Sequence, residues 1–154
     1  TGGASPVLSS SLASQQVLIV LSAAASSITD AYALIKLMSR EYAKRHFLVL
    51  LNRVRSEQEA SAVFNNISQV ARCHLSVVLE FMGCIPRDEK LRRSTQLCRS
   101  VVEAFPASIA AAGFRKLAYD LLRCPYPEGD GGGVENFMHR LIQSSRLGTP
   151  AAVF

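Results

Sequence analysis

With 154 residues, 49% of them hydrophobic and 19% charged, the chain has the composition of one folded domain and excludes a disordered polymer. Its net charge of +5 comes from basic residues spread over Arg40 to Arg45, Arg87 to Arg93 and Arg140 to Arg146. They lack the interleaved aromatics of a single-strand nucleic-acid binder, so no direct nucleic-acid contact is expected.

The chain opens at Thr1 without a methionine, and a Gly/Ser-rich stretch to Ser14 runs straight into strand-like sequence, which reads as a fragment of something longer. No secretory signal is recognisable in it, and no apolar run approaches the roughly 20 residues of a membrane span, so a soluble cytoplasmic protein is expected. Cys73, Cys84, Cys98 and Cys124 form no CxxC pair and have no histidine at metal-ligand spacing, and they read as reduced, mostly structural thiols.

Val17 to Leu21 is an unbroken β-favouring run without polar alternation, the pattern of a strand covered on both faces of a parallel sheet. Ser27 and Asp30 then form an S-x-x-D capping box, and Ile28, Ala31, Leu34, Ile35 and Met38 recur at helical spacing, predicting a helix from Ile28 to Lys44. Phe47 to Leu51 repeats the continuous apolar pattern. Ser56 and Glu59 make a second capping box, followed by a stripe of Ala60, Val63, Phe64, Ile67, Val70 and Ala71. A third strand is predicted over Ser76 to Met82, closed by Gly83 and Pro86, with a short basic helix from Asp88 to Thr95.

Strands alternating with helices of this length require parallel pairing, because each crossover returns the chain to the same edge. The fold class is therefore α/β, a partial doubly wound parallel sheet of about three strands with flanking helices. From Pro106 the pattern is purely helical, with Ile109, Ala112, Leu117, Ala118, Leu121 and Leu122 predicting a packed helix that ends before Pro125. Residues 1–124 thus read as one domain and the proline- and glycine-rich 125–133 as a linker. Residues 134–147 read as an amphipathic helix with Val134, Phe137, Met138, Leu141 and Ile142 on one side, and 148–154 as a tail.

In an open parallel sheet ligands bind beyond the carboxyl ends of the strands. Three loops fall there: Ser22 to Ser27, Asn52 to Arg55, and Gly83 to Asp88. Asn52 is the sharpest residue among them, since a carboxamide presents a donor beside an acceptor and matches the N6/N7 edge of adenine; a turn residue at a strand end is the other reading. Asp88 and Glu89 at a helix start are read as capping. His46, His74 and His139 fall on different elements, and the sequence holds no GxxxxGK[ST], GxGxxG, GxSxG or HExxH. No catalytic residue and no metal site is predicted.

The strings Ser27-Ile28-Thr29-Asp30-Ala31-Tyr32-Ala33-Leu34-Ile35-Lys36, Leu50-Leu51-Asn52-Arg53-Val54-Arg55-Ser56-Glu57-Gln58-Glu59, Gly83-Cys84-Ile85-Pro86-Arg87-Asp88-Glu89-Lys90-Leu91-Arg92-Arg93 and Val101-Val102-Glu103-Ala104-Phe105-Pro106 stand in one order over nearly the whole chain. This series resembles the carboxy-terminal portion of FleN/FlhG flagellar number regulators, deviant-Walker ATPases of the MinD/ParA kind. The resemblance implies ATP or ADP with Mg in an intact parent, an ATP-dependent homodimer, and control of flagellar number or placement. It also implies the flagellar GTPase FlhF or a FleQ-like activator as partner.

By the same resemblance Asn52, Arg53, Pro86, Arg87 and Asp88 border the nucleotide, and Gly3 matches the glycine of the switch segment. Val134, Phe137, Met138, Leu141 and Ile142 match a helix that meets a partner or the inner face of the cell membrane. The phosphate-binding loop and the Walker B aspartate of such proteins are not in this sequence, so no tight nucleotide binding and no ATPase activity is expected of the chain alone. Ala24 and Ala25 stand where relatives carry an acidic residue and proline, and Arg87 where a tyrosine is common. The alternative reading is a non-catalytic protein- or membrane-interaction module, degenerate for nucleotide binding.

Overall fold

A computed structural model describes residues 16–124. Gly3 and residues 134–147, which carry the switch and amphipathic-helix expectations, lie outside the described residues.

Three strands form one parallel sheet in the order β1-β2-β3: β1 is Leu18–Leu21, β2 is His46–Val54 and β3 is Val78–Pro86. The crossovers are helix α1, Ala25–Glu41, and helix α2, Glu57–Leu75. After β3 come α3, Glu89–Gln96, the short α4, Val101–Ala104, and α5, Ile109–Arg123. The α/β class with parallel pairing stands, although β1 is not covered on both faces as expected, since Val20 is exposed; α4 is an element that the sequence pattern did not mark.

The central strand explains the unbroken hydrophobic run. Successive side chains of a strand point to opposite faces. Leu48 and Leu50 join Met82 and Ile85 in a core closed by Val101, Ala110, Ala111 and Leu117 from α4 and α5. Phe47, Val49 and Leu51, one residue out of phase, are fully buried toward the other face, which α1 and α2 cover side by side. Each such side chain contributes about 1.5–3 kcal/mol through burial, so the stretch from Phe47 to Leu51 is apolar on both faces, and the polar residues of β2, His46, Asn52 and Arg53, stand outside it toward the strand ends. On α1 the face turned inward carries Ala31, Ile35 and Met38; on α2 it carries Ala60, Ile67 and Ala71, with Phe64 stacking on Phe81 of β3 at 4.9 Å between ring centres.

Several boundaries differ from expectation. Helix α1 begins at Ala25, not Ile28, and ends at Glu41; Ala24 occupies the cap position without a side-chain bond. Ser27 therefore lies inside the first turn, where its hydroxyl accepts from the Ser22 N–H at 3.0 Å. Ser56 does cap α2, accepting from the Glu59 N–H at 3.1 Å, while Glu59 accepts from the Arg55 N–H at 2.6 Å. On α5, Ile109, Ala112, Ala118 and Leu122 are exposed rather than packed, and of the predicted stripe only Leu117 is buried, with Leu121 half-buried. All four cysteines are free; Cys73 and Cys98 are exposed, which removes them from a structural role in the core.

Both β2 and β3 run past their predicted ends, and two register shifts make this possible. Val49 pairs with Phe81 but Leu51 pairs with Cys84, so β3 holds one extra residue there. Gly83 absorbs it with φ +104°, in the left-handed region that glycine enters without a Cβ penalty. Asn52 then pairs with Ile85 and Val54 with Pro86, so the extra residue is now on β2, and Arg53 takes it up with φ 59°. The second bulge cancels the first, and the strands finish level.

Candidate functional site

The carboxyl ends of the three strands lie along one edge of the sheet, which brings the predicted loops to a common rim. A cleft of about 360 Å³ sits there, lined by Ser22, Ala23 and Ala24 after β1, Arg53 and Arg55 at the end of β2, Glu59 in the first turn of α2, and Arg87 after β3. Arg53 and Arg87 are tied together: the Arg87 Nε–H donates to the Arg53 carbonyl at 3.0 Å, and the Arg87 main-chain N–H donates to the Val54 carbonyl at 2.8 Å. The bulge at Arg53 and the turn after Pro86 are thus one fastened unit.

Asn52 lies at the end of the central strand, not in a loop, and its Oδ1 is buried without a hydrogen-bond partner. A buried carbonyl oxygen left in that state costs on the order of 1–3 kcal/mol, which a donor arriving from a ligand would recover. Pro86 closes β3 opposite Val54 and supplies no polar group.

Asp88 has a different occupation. Its Oδ1 accepts the Lys90 N–H at 2.8 Å as the cap of α3, and its Oδ2 accepts the Ala110 N–H at 3.0 Å in the first turn of α5. The bond from Ala110 is the main reason its carboxyl is held below the ordinary aspartate range, with Lys90 adding to it. Glu89 turns outward to Arg92. Capping, read from the sequence at Asp88, is therefore present, and it spans two helices.

A second, larger groove of about 550 Å³ follows the outer edge of β3, between Glu57 and Ser61 of α2 and Gly113, Lys116, Asp120 and Arg123 of α5. Cys84 and Cys124 line it, and partial burial raises the pKa of both thiols, with nearby carboxylates adding to it. Among the described residues no group of histidine, cysteine and carboxylate side chains is placed to hold a metal ion, and no helix is long and apolar enough to cross a membrane.

Of the predicted rim residues, Arg53 and Arg87 share the cleft, while Asn52, Pro86 and Asp88 are not among the residues that line it. Arg55 and Glu59 also line it, although the sequence marked Glu59 only as a capping residue. What could have drawn them in was the S-x-x-E box itself, since it places the residue before the cap at the strand end.

An open parallel α/β layer with a polar rim at its strand ends is the architecture of a domain that binds small ligands at that rim. The chain is 40% identical over 137 residues, 89% of its length, to the antiactivator FleN of Pseudomonas aeruginosa. The FleN/FlhG resemblance drawn from the ordered motifs thus holds across nearly the whole chain, which covers 49% of the FleN sequence, about half the length of the relative it matches. No protein-family model matches the chain.

Proposed function

We propose that the chain is the base-binding half of a MinD/ParA-type switch ATPase that regulates flagellar number or placement. The observation that carries this reading is the buried, unpaired Oδ1 of Asn52 at the end of the central strand. It is an acceptor held in place by a rigid strand, and the exocyclic amine of adenine is a donor of the right kind, with the Asn52 amide free to donate to the ring nitrogen beside it. The kinship with an antiactivator named FleN supports the regulatory side of the reading.

ATP or ADP with Mg fits the base end of this arrangement, while the triphosphate and the metal call for a phosphate-binding half carrying motifs this sequence does not contain. In that scheme Asn52 orients the base, and the Arg53 to Arg87 tie sets the height of the rim. Dimerisation on ATP then presents a surface to a flagellar partner such as the GTPase FlhF or a FleQ-like activator. The segment with Val134, Phe137, Met138, Leu141 and Ile142 would add a conditional membrane or partner contact, doubled in a dimer.

The test uses a full-length protein that carries this half together with a phosphate-binding half. Asn52→Ala should lower ATP affinity by about tenfold, the order expected from one buried hydrogen-bonded contact, and should raise the ATP concentration needed for dimerisation in gel filtration by a similar factor. Unchanged nucleotide affinity would sink the role given to Asn52.

The groove along β3 favours a second reading, a module that binds a partner without nucleotide. If partner binding survives unchanged in the absence of nucleotide and in Asn52→Ala, that reading replaces the first.

A further inference from the structure

The sheet ends at β3, and the outer side of that strand is open. The Val78 N–H donates to the Arg45 carbonyl at 2.8 Å, so the main-chain groups of Val78 and, two residues on, of Glu80 serve the ladder with β2. Those of Leu79 and Phe81 turn the other way, where no strand follows. Among the described residues no main-chain group outside β2 pairs with this stretch of β3.

A row of unpaired edge groups is a template for a further strand, and proteins usually cover it with a helix or loop. Here the flanking helices leave it uncovered. The groove of about 550 Å³ runs along this edge between Glu57 of α2 and Lys116 and Asp120 of α5. No atom stands within 4 Å of the point where a Cβ on Gly83 would lie. The lining stretch from Glu80 to Cys84 spans about 13 Å at the rise of a strand, which matches an added strand of about five residues.

The charges of the groove leave two carboxylates for an incoming cation. Lys116 is taken up by Asp120 at 2.8 Å, and Arg123 donates to the Tyr119 hydroxyl. Among the described residues Glu57 forms no ion pair, and Glu80 pairs only with the His46 imidazole, at 3.2 Å, with about half its side chain in solvent. Their field reaches the thiols that line the groove. Burial is the first cause that raises Cys84 and Cys124; Glu57 adds to it at Cys84, against a smaller pull from Lys116, and Glu80 with Asp120 adds to it at Cys124. The same carboxylates argue against a second copy of the chain as the occupant. Two β3 edges paired about a two-fold axis bring both Glu80 side chains to the middle of the seam, where like charges destabilise the pair.

We propose that the outer edge of β3 receives an extended segment of a partner protein as an added strand, in which apolar residues alternate with lysine or arginine that meet Glu57 and Glu80. Main-chain bonds to Leu79 and Phe81 hold the segment, and the groove walls select its side chains. The inference rests on the reading of this groove as a partner surface and not on the Asn52 assignment.

The experiment measures fluorescence anisotropy of a labelled peptide of about ten residues, alternating valine and lysine, against the whole 154-residue chain. The chain's net charge of +5 opposes a basic peptide at long range, so saturable binding reports a local site. Saturable binding is expected, with none for the valine–glutamate counterpart. Glu57→Gln and Glu80→Gln should each weaken it about threefold, the scale of a partly solvated ion pair. Glu41→Gln, at the end of α1 away from the groove, should leave it unchanged. Two further peptides carry N-methyl groups on alternate main-chain nitrogens, one on the valines and the other on the lysines. A strand pairs through only one such set, so one of the two should lose binding and the other keep it. Amide exchange followed by NMR should show Leu79 and Phe81 exchanging quickly in the free chain and slowed at least tenfold by saturating peptide. Saturable binding without that alternation, or without protection at Leu79 and Phe81, overturns the added strand while leaving the groove a partner surface. Absence of saturable binding, or equal binding of the acidic peptide, overturns both.

Discussion

Replacing Asp88 by alanine removes two hydrogen bonds that no other side chain can supply. One caps α3 through the Lys90 N–H; the other crosses to the Ala110 N–H and pins the start of α5 to the turn after β3. Loss of the cap costs about 1 kcal/mol. Loss of the charge-assisted bond to α5 adds about 1.5 kcal/mol, for a total near 2.5 kcal/mol. With a urea slope of about 2 kcal/mol per molar, the unfolding midpoint of Asp88→Ala falls by about 1 M at neutral pH. Glu89→Gln is the internal control: its pair with Arg92 is fully solvated, so its midpoint stays within the small range of surface ion pairs.

The same residue predicts a pH dependence. The folded-state pKa of Asp88 is lowered, chiefly by the Ala110 N–H, so its stabilising contribution is complete above the unfolded value and is lost as pH falls through the folded one. With the unfolded value near about 3.9, the gap between wild type and Asp88→Ala should be constant at higher pH. Below that value it should close progressively. A midpoint shift of less than about 0.3 M at pH 7, set against the roughly 1 M derived from the two caps, or a gap that persists after Asp88 is protonated, would refute the two-helix bridge.

Further outcomes follow from other positions. Gly113→Val should destabilise the fold by about 1–3 kcal/mol, read by urea unfolding, because a Cβ there would stand 3.0 Å from the Ile85 Cδ1 and keep α5 off β3. Gly83→Ala should cost on the order of 1–2 kcal/mol for a different reason: nothing lies within 4 Å of the new methyl group, but φ is +104°. Ser56→Ala, which deletes the α2 cap, should cost about 1 kcal/mol and leave the sheet intact by circular dichroism. In alkylation by iodoacetamide followed by mass spectrometry, exposed Cys73 and Cys98 should be modified well before Cys84 and Cys124. Burial, the first cause of the raised pKa at both slower thiols, keeps them protonated, and equal rates at all four would contradict the packing of α5.

Periodicity along the chain sets the alternation of strands and helices, and with it the parallel sheet. Phe47 to Leu51 has no polar position, so only a strand covered on both faces can hold it. Two covered faces joined by helical crossovers leave little choice of topology. The sequence also placed Asn52, Arg53 and Arg87 in loops just past the strands, although Asn52 and Arg53 lie within β2, and the ordered motif series carried the kinship to FleN. Local signals decided these features, since side-chain periodicity and cap chemistry act over a few residues.

Tertiary structure alone decided where β2 and β3 stop and which rim side chains meet. Gly83 looked like the end of a strand because glycine usually breaks one, yet here it absorbs one register shift so that Arg53 can absorb the opposite one. Neither bulge is stable without its partner strand, so no window of sequence contains the pair. Asp88 likewise read as a cap for one helix, because its bond to Ala110 joins residues 22 positions apart. Ser27 looked like a helix start for want of any sign that the chain turns at Ala24, where the cap position holds a residue with no polar side chain. In each case the deciding energy comes from a contact between segments distant along the chain, to which local propensity is blind.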